Sequence, residues 1–182
     1  MKPFKDIVMK TETEQKEEEY NNYIVEHTRN VFTVYTRLKK YIENQSVEFK
    51  NELFHNIDEH DDSKWNDLEF YGYRQYFYPC KNEIKCQKTF DKSWLNHIHS
   101  NPHHWEYWAI PGVNKAIEIP FIYILEMMCD WTAMSIKFNN YPSNWYSQNK
   151  DKMIIHENSK LIIESWLKIF DSIYEELKND SN

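Results

Sequence analysis

Two glycines, Gly72 and Gly112, are all that the 182 residues contain. Glycine adopts positive φ without steric cost, so it serves tight turns between strands and the loops that wrap phosphate. Rossmann folds and P-loops need several glycines at fixed places. Neither G-x-G-x-x-G nor G-x-x-x-x-G-K can be written from this pair. The scarcity predicts a mostly helical chain. Hydrophobic residues make up 41% and aromatic residues 16%, which excludes disorder along the whole chain. A chain of this length fits one domain and buries roughly 70% of its unfolded surface. It therefore needs neither disulfides nor structural zinc. Its three cysteines, Cys80, Cys86 and Cys129, include no C-x-x-C pair, which argues against a disulfide scaffold or a zinc finger.

Charge narrows the function classes. The net charge is −7 and the pI about 5.6. Duplex nucleic acid binders normally carry a basic footprint, so that partner is not expected. An anionic substrate would need a local positive centre such as a metal ion. The first ten residues have no apolar signal core. The most apolar run, 117–134, is broken by Glu118, Glu126 and Asp130. It reads as a buried helix and not as a membrane span. A cytoplasmic protein is the expectation.

Periodicity predicts about six helices. Over 13–42, the residues Tyr20, Ile24, His27, Val31, Val34, Leu38 and Tyr41 form one apolar stripe at steps of four and three. A second helix is expected over 46–60, a third over 65–78 ending at Pro79, and a loop over 80–88. The next helix starts near Thr89, with Phe90, Trp94 and His97 on one face, and breaks at Asn101-Pro102. Pro102 then opens a turn carrying His103 and His104. Pro111-Gly112 is a turn, and helices are expected over 119–138 and 157–177. Segments 1–12 and 178–182 are polar and expected to fray. The fold class is an all-α helical bundle, a single domain over 13–177.

Several residues stand out chemically. Asp130 sits among Met127, Met128, Cys129, Trp131 and Met134, and an ionised carboxylate there must be paired or metal-bound. A structural partner is scarce among three arginines, Arg29, Arg37 and Arg74, although a lysine would also serve. His27 faces the core from its stripe, where a hydrogen-bonded core histidine is the plainer explanation. His60 and Asp61 are adjacent, at what also reads as a polar helix end. Imidazole with carboxylate suits a divalent first-row metal. Neighbours on a helix diverge by about 100°, so His60 and Asp61 can reach an ion between them, with His27 and Asp130 completing the set.

With these residues in this order, the chain resembles the HD-domain superfamily of helical metal-dependent phosphohydrolases. His60-Asp61-Asp62-Ser63-Lys64 is similar to the superfamily's H-D-x-G-K run, with Ser63 in place of glycine. A closer resemblance is to a small bacterial and phage family without an established activity. That family carries H-D-x-S-K, N-x-H-H-x-E and E-M-x-C-D-W-like runs, here His60 to Lys64, Asn101 to Glu106 and Glu126 to Trp131. The resemblance implies an HD-like bundle holding one or two divalent ions of manganese, iron, cobalt or zinc. Some HD proteins hold the second ion through two further histidines. His97 is placed for that, with either His103 or His104, since adjacent histidines point apart. One ion beside histidines that bind phosphate is an equal alternative.

Lys64 is expected to bind substrate phosphate, against a plainer reading as a solvated partner of Asp61 or Asp62. His97, His103 or His104 would protonate the leaving oxygen. Glu126, one turn before Asp130, would orient a ligand histidine from behind. Trp105, Tyr107 and Trp108 read as core by default and as a nucleobase platform otherwise. The expected activity is hydrolysis of a nucleotide or another small phosphate ester through a metal-activated water, with Asp61 in the reacting centre. The alternatives are a non-catalytic nucleotide or small-ligand binder on an HD-like scaffold, and a di-iron oxygenase. The zincin H-E-x-x-H and the hydrolase G-x-S-x-G are missing. A lone E-x-x-H, Glu52 to His55, falls short of the two that ferritin-like sites need. His55 and His156 are expected at the surface.

Overall fold

The computed structural model describes residues 10–180. Among them are seven α-helices and no strand, only an isolated bridge between Ala109 and Ala116. The protein is an all-α bundle. The helices are α1 (Glu12–Leu38), α2 (Val47–Asp58), α3 (Asp67–Phe77), α4 (Gln87–Ser100), α5 (Phe121–Phe138), α6 (Pro142–Asn149) and α7 (Glu157–Asp180). None among the described residues is long and apolar enough to cross a membrane.

Thr11 and Glu14 start α1 with a reciprocal cap. The Thr11 hydroxyl accepts from the Glu14 N–H at 3.2 Å, and the Glu14 carboxylate accepts from the Thr11 N–H at 2.7 Å. The stripe from Tyr20 to Leu38 is buried as its spacing predicts. Tyr41 is not, at 38% exposed, because the last turn tightens to a 3-10 helix over Lys39–Tyr41 and shifts the register. Ser46 caps α2, its hydroxyl accepting from the Phe49 N–H at 3.1 Å.

Helix α5 is the central element and packs against α1, α2, α6 and α7. It is buried over most of its circumference, which its continuous apolar sequence requires. A second, aromatic cluster forms where α3 and α4 pair, with Tyr20, Ile24 and Tyr73 at its centre and Phe70, Phe90 and Trp94 around them. Gly72 lets α3 and α4 approach closely, because a Cβ there would meet the Ser93 hydroxyl at 2.1 Å. On α1, Ile24 belongs to the aromatic cluster and Val31 to the main core. His27 lies between them, where the two cores meet.

Two boundaries differ from expectation. Helix α7 continues to Asp180, whose carboxylate pairs with Arg37 at 2.5 Å, so 178–180 is helical. Residues 10–12 carry the α1 cap and first helical residue. The rest of the expected frayed ends, 1–9 and 181–182, lies outside the described residues. Helix α6 escaped the periodicity because its sequence, PSNWYSQN, has no stripe. Proline at its first position and the packing of Trp145 and Tyr146 on Trp131 hold it.

Candidate metal centre

Helix α2 ends at Asp58, so His60 and Asp61 are not helical, contrary to expectation. Asp61 adopts a left-handed conformation at φ 64° and ψ 16°. Asp and Asn tolerate this region better than other non-glycine residues. The chain then winds into a 3-10 turn over Asp62–Trp65. This reversal turns both side chains inward, leaving His60 2% and Asp61 1% exposed.

Asp61 lies between two groups of donors. Its Oδ2 is 3.1 Å from His27 Nε2 and 3.6 Å from His60 Nε2. Its Oδ1 is 3.3 Å from His97 Nε2 and 3.5 Å from His103 Nε2. Asp130 Oδ1 closes the first group at 3.2 Å from His27 Nε2. His104 closes the second, its Nε2 2.8 Å from that of His97. Ligand atoms of His27, His60 and Asp130 lie within 4.8 Å of one another, and so do those of Asp61, His97, His103 and His104. Either cluster can hold a metal ion. Metal–ligand bonds near 2.1 Å place ligand atoms roughly 3–4.2 Å apart, a small contraction of what is present.

His103 and His104, as adjacent residues, are expected to point apart. They converge instead, with ring centroids 4.5 Å apart, because they sit in a turn ahead of the 3-10 helix Trp105–Trp108.

Carboxylates behind the imidazoles fix their direction. Glu126 Oε1 stands 3.0 Å from His60 Nδ1 and 2.9 Å from His103 Nδ1. Glu126 thus stands behind two imidazoles. Glu69 Oε2 stands 2.9 Å from His97 Nδ1. With each Nδ1–H donated to a carboxylate, Nε2 is left to face the centre. His60 Nε2, Asp61 Oδ1 and His103 Nε2 are buried without a hydrogen-bond partner. Buried polar atoms without partners in one place are costly unless something else takes them up.

Protonation follows this arrangement. Burial alone would raise the Asp61 carboxyl, but Lys64 and His60 hold it well below the usual carboxylate range. Burial opposes the charge on His103, yet Asp61 and Glu126 push it up to about 10. The same contest, with Asp130 and Asp61 as partners, raises His27. Burial lowers His60. Burial and the neighbouring histidines hold His104 well below the ordinary histidine value. His104 is therefore a neutral imidazole, suited to ligation and poorly suited to the proton-donor role expected of it.

Lys64 is not a solvated lysine, although it lines the cavity into which the centre opens. It is buried, and its Nζ donates to Asp61 Oδ2 at 2.5 Å. Among the described residues Asp130 pairs with neither arginine nor lysine but with His27. Trp108 is a core residue, donating Nε1–H to the Pro102 carbonyl at 2.7 Å and packing on Tyr123. Tyr107 is exposed, and Trp105 lines a cavity. His55 is exposed beside Glu59, while His156 is half-buried; neither joins the donor clusters.

Sequence reasoning missed Glu69, which is fully buried. It lies in the segment 65–78, whose aromatic residues alone drew notice. Its spacing to Tyr73, one turn on along the aromatic face of α3, was the signal that it points inward. Glu69 also accepts from the Ser63 hydroxyl at 3.0 Å, and that hydroxyl accepts from Asn101 Nδ2 at 2.7 Å. The serine of H-D-x-S-K thus touches the asparagine of N-x-H-H-x-E. The centre opens into a cavity of about 470 Å³ walled by Tyr23, Tyr73, Tyr78 and Trp94, with Lys137 at its side. None of those tyrosines, nor Lys137, was anticipated.

Residues 16–169 match the model of a protein family of unknown function, DUF5662. The chain belongs to this family. Every donor of both clusters falls within the DUF5662 match, as do Glu126 and Glu69. Comparison with curated proteins returned no match, and neither did comparison with solved structures.

Proposed function

We propose that this DUF5662 protein is a metal-dependent phosphohydrolase acting on a nucleotide or another small phosphate ester, in the manner of the HD-domain superfamily. The observation that carries the reading is the Asp61 carboxylate set between two imidazole groups, one oxygen toward each. Such a donor set suits manganese, iron, cobalt or zinc. The orphaned His60 Nε2, His103 Nε2 and Asp61 Oδ1 fit ions that would coordinate them, His103 on loss of its proton. His27, His60, Asp61 and Asp130 would hold one ion, and Asp61, His97, His103 and His104 a second. A bound ion would supply Lewis acidity and bring the pKa of a coordinated water towards about 7.

The chain's own residues provide the rest. Glu126 and Glu69 hold three imidazoles in one tautomer, with Nε2 inward. Lys64 offsets the Asp61 charge in a buried place. Lys137, its ammonium 4.0 Å over the Tyr23 ring, offers the cavity a cation for an anionic group. The aromatic walls limit water around the centre.

The test is metal content by mass spectrometry, with hydrolysis of a panel of phosphate esters, for wild type and Asp130→Asn. One or two equivalents and metal-dependent turnover in wild type, both lost in the variant, are expected. Protein that stays metal-free after incubation with each of the four metals would sink the proposal. Bound iron with oxygen consumption and no phosphate release would favour a di-iron oxygenase. Ligand binding without turnover would favour a binding protein.

A further inference from the structure

A second cavity of about 260 Å³ adjoins the first. The two share Trp94, His104, Asp130, Met134 and Phe138 in their walls, so both open on the metal-facing floor. Their chemistry differs. The larger lobe carries Lys64 and Lys137. The smaller carries no lysine or arginine and is walled by Trp94, Trp105, Trp131 and Trp145, four of the chain's seven tryptophans. Its one carboxylate besides Asp130 is Glu106, half-buried, with Oε2 buried and without a hydrogen-bond partner. The lobe depends on the end of α5. Asn139 takes a left-handed conformation at φ 49° and folds α6 back, which brings the Trp145 ring to 4.8 Å from that of Trp131.

We infer that this tryptophan lobe is a nucleobase subsite: it takes a flat, uncharged heteroaromatic ring with an N–H donor edge turned to Glu106, while the anionic end of the ligand lies toward Lys137. Indole walls favour a ring with two π-faces, and every base has them. With no lysine or arginine in the lobe and the His104 imidazole 3.9 Å from Glu106 Oε2, this carboxylate disfavours phosphate and accepts N–H groups. Guanine presents two adjacent donors on its pairing edge where adenine presents one, so guanine fits Glu106 better. The inference rests on the phosphohydrolase reading only in placing a phosphate at the other end. It narrows the ligand from any small phosphate ester to a nucleotide.

The experiment is titration of the full chain, in chelator, with GMP, AMP and ribose 5-phosphate, followed by tryptophan fluorescence and by calorimetry. Both nucleotides are expected to quench fluorescence and to bind at least tenfold more tightly than ribose 5-phosphate, with GMP ahead of AMP. Glu106→Gln keeps the shape and is expected to erase the lead of GMP. Trp145→Leu is expected to remove most of the advantage over ribose 5-phosphate. Equal affinity for all three compounds, or no quenching by either nucleotide, overturns the inference whatever the variants do. Should Trp145→Leu lose its helicity, the wild-type comparison and Glu106→Gln still decide. Base-dependent binding without hydrolysis would leave the subsite standing and remove the enzyme reading. Metal-dependent hydrolysis of ribose 5-phosphate as readily as of nucleotides would do the reverse.

Discussion

Replacing Asp61 by asparagine tests how the centre is held together without metal. Asp61 is 1% exposed, and the buried Lys64 ammonium donates to it at 2.5 Å. Removing one member of a buried ion pair typically costs about 3–5 kcal/mol, because the other charge is left without its partner. Asparagine keeps the shape but strands Lys64, so about 4 kcal/mol is the expected loss. For a domain of this size that corresponds to a fall in Tm of roughly 8–16 °C. At a urea slope of about 2 kcal/mol per molar, the midpoint should fall by about 2 M. Lys64→Met should cost less, about 1–3 kcal/mol, because His27 and His103 still face the carboxylate. The double variant should then be no less stable than Asp61→Asn alone, giving a coupling of about 1–3 kcal/mol. Chelator is required throughout, since a bound ion would stabilise the wild type by mass action. The pH dependence has a fixed sign. The Asp61 pKa is depressed in the folded state, so its contribution is full above about pH 4, the unfolded value. It is lost as the pH falls through the folded value, an acid limb that Asp61→Asn lacks. Single-variant losses that add within about 0.5 kcal/mol would refute the ion-pair argument. The pairing also means that an Asp61 variant confounds stability with activity, whereas Asp130→Asn avoids stranding a buried lysine.

Two further outcomes are expected. His103 is raised to about 10 in the free protein, so at neutral pH metal uptake must displace its proton; zinc affinity should rise with pH between about 6 and 9, and calorimetry in buffers of different protonation enthalpy should register about one proton released, with a pH-independent affinity contradicting the assignment. Gly72→Ala places a Cβ 2.1 Å from Ser93 Oγ and 3.1 Å from the Thr89 carbonyl; overpacking of about 1–3 kcal/mol should outweigh the roughly 1 kcal/mol gain in helix propensity, so thermal unfolding should show a lower Tm, and a raised one would mean that α3 and α4 separate freely.

The sequence by itself determined the helical class and the polar residues that needed a special environment. Two glycines left no material for sheet turns or phosphate loops, and the stripe through Tyr20, Ile24, Val31 and Leu38 put His27 on a buried face. Asp130, in the most apolar helix, had to find a partner. The Glu126 spacing to Asp130 marked the same face, and Glu126 stands behind two imidazoles as that spacing suggested. Periodicity carries this information because it reports which side of a helix avoids water. It does not report which distant segments meet.

Tertiary structure decided the rest. A helix was assumed at His60-Asp61, but a positive-φ turn at a non-glycine residue costs local energy and survives only where surrounding contacts hold it. Here Lys64, His27 and the facing imidazoles hold Asp61. The same limit hid the convergence of His103 and His104, whose directions come from a turn after Pro102 and not from helical phase. The plainer reading of Lys64 as solvated fails because nothing local reveals the depth of a 3-10 turn packed under α3. Glu69 drew no notice in the sequence, and its partners Ser63, Asn96 and His97 arrive from other segments. The tryptophan lobe belongs to the same class: Trp94, Trp105, Trp131 and Trp145 have no common period, and only the folding of α6 back on α5 gathers them around one cavity.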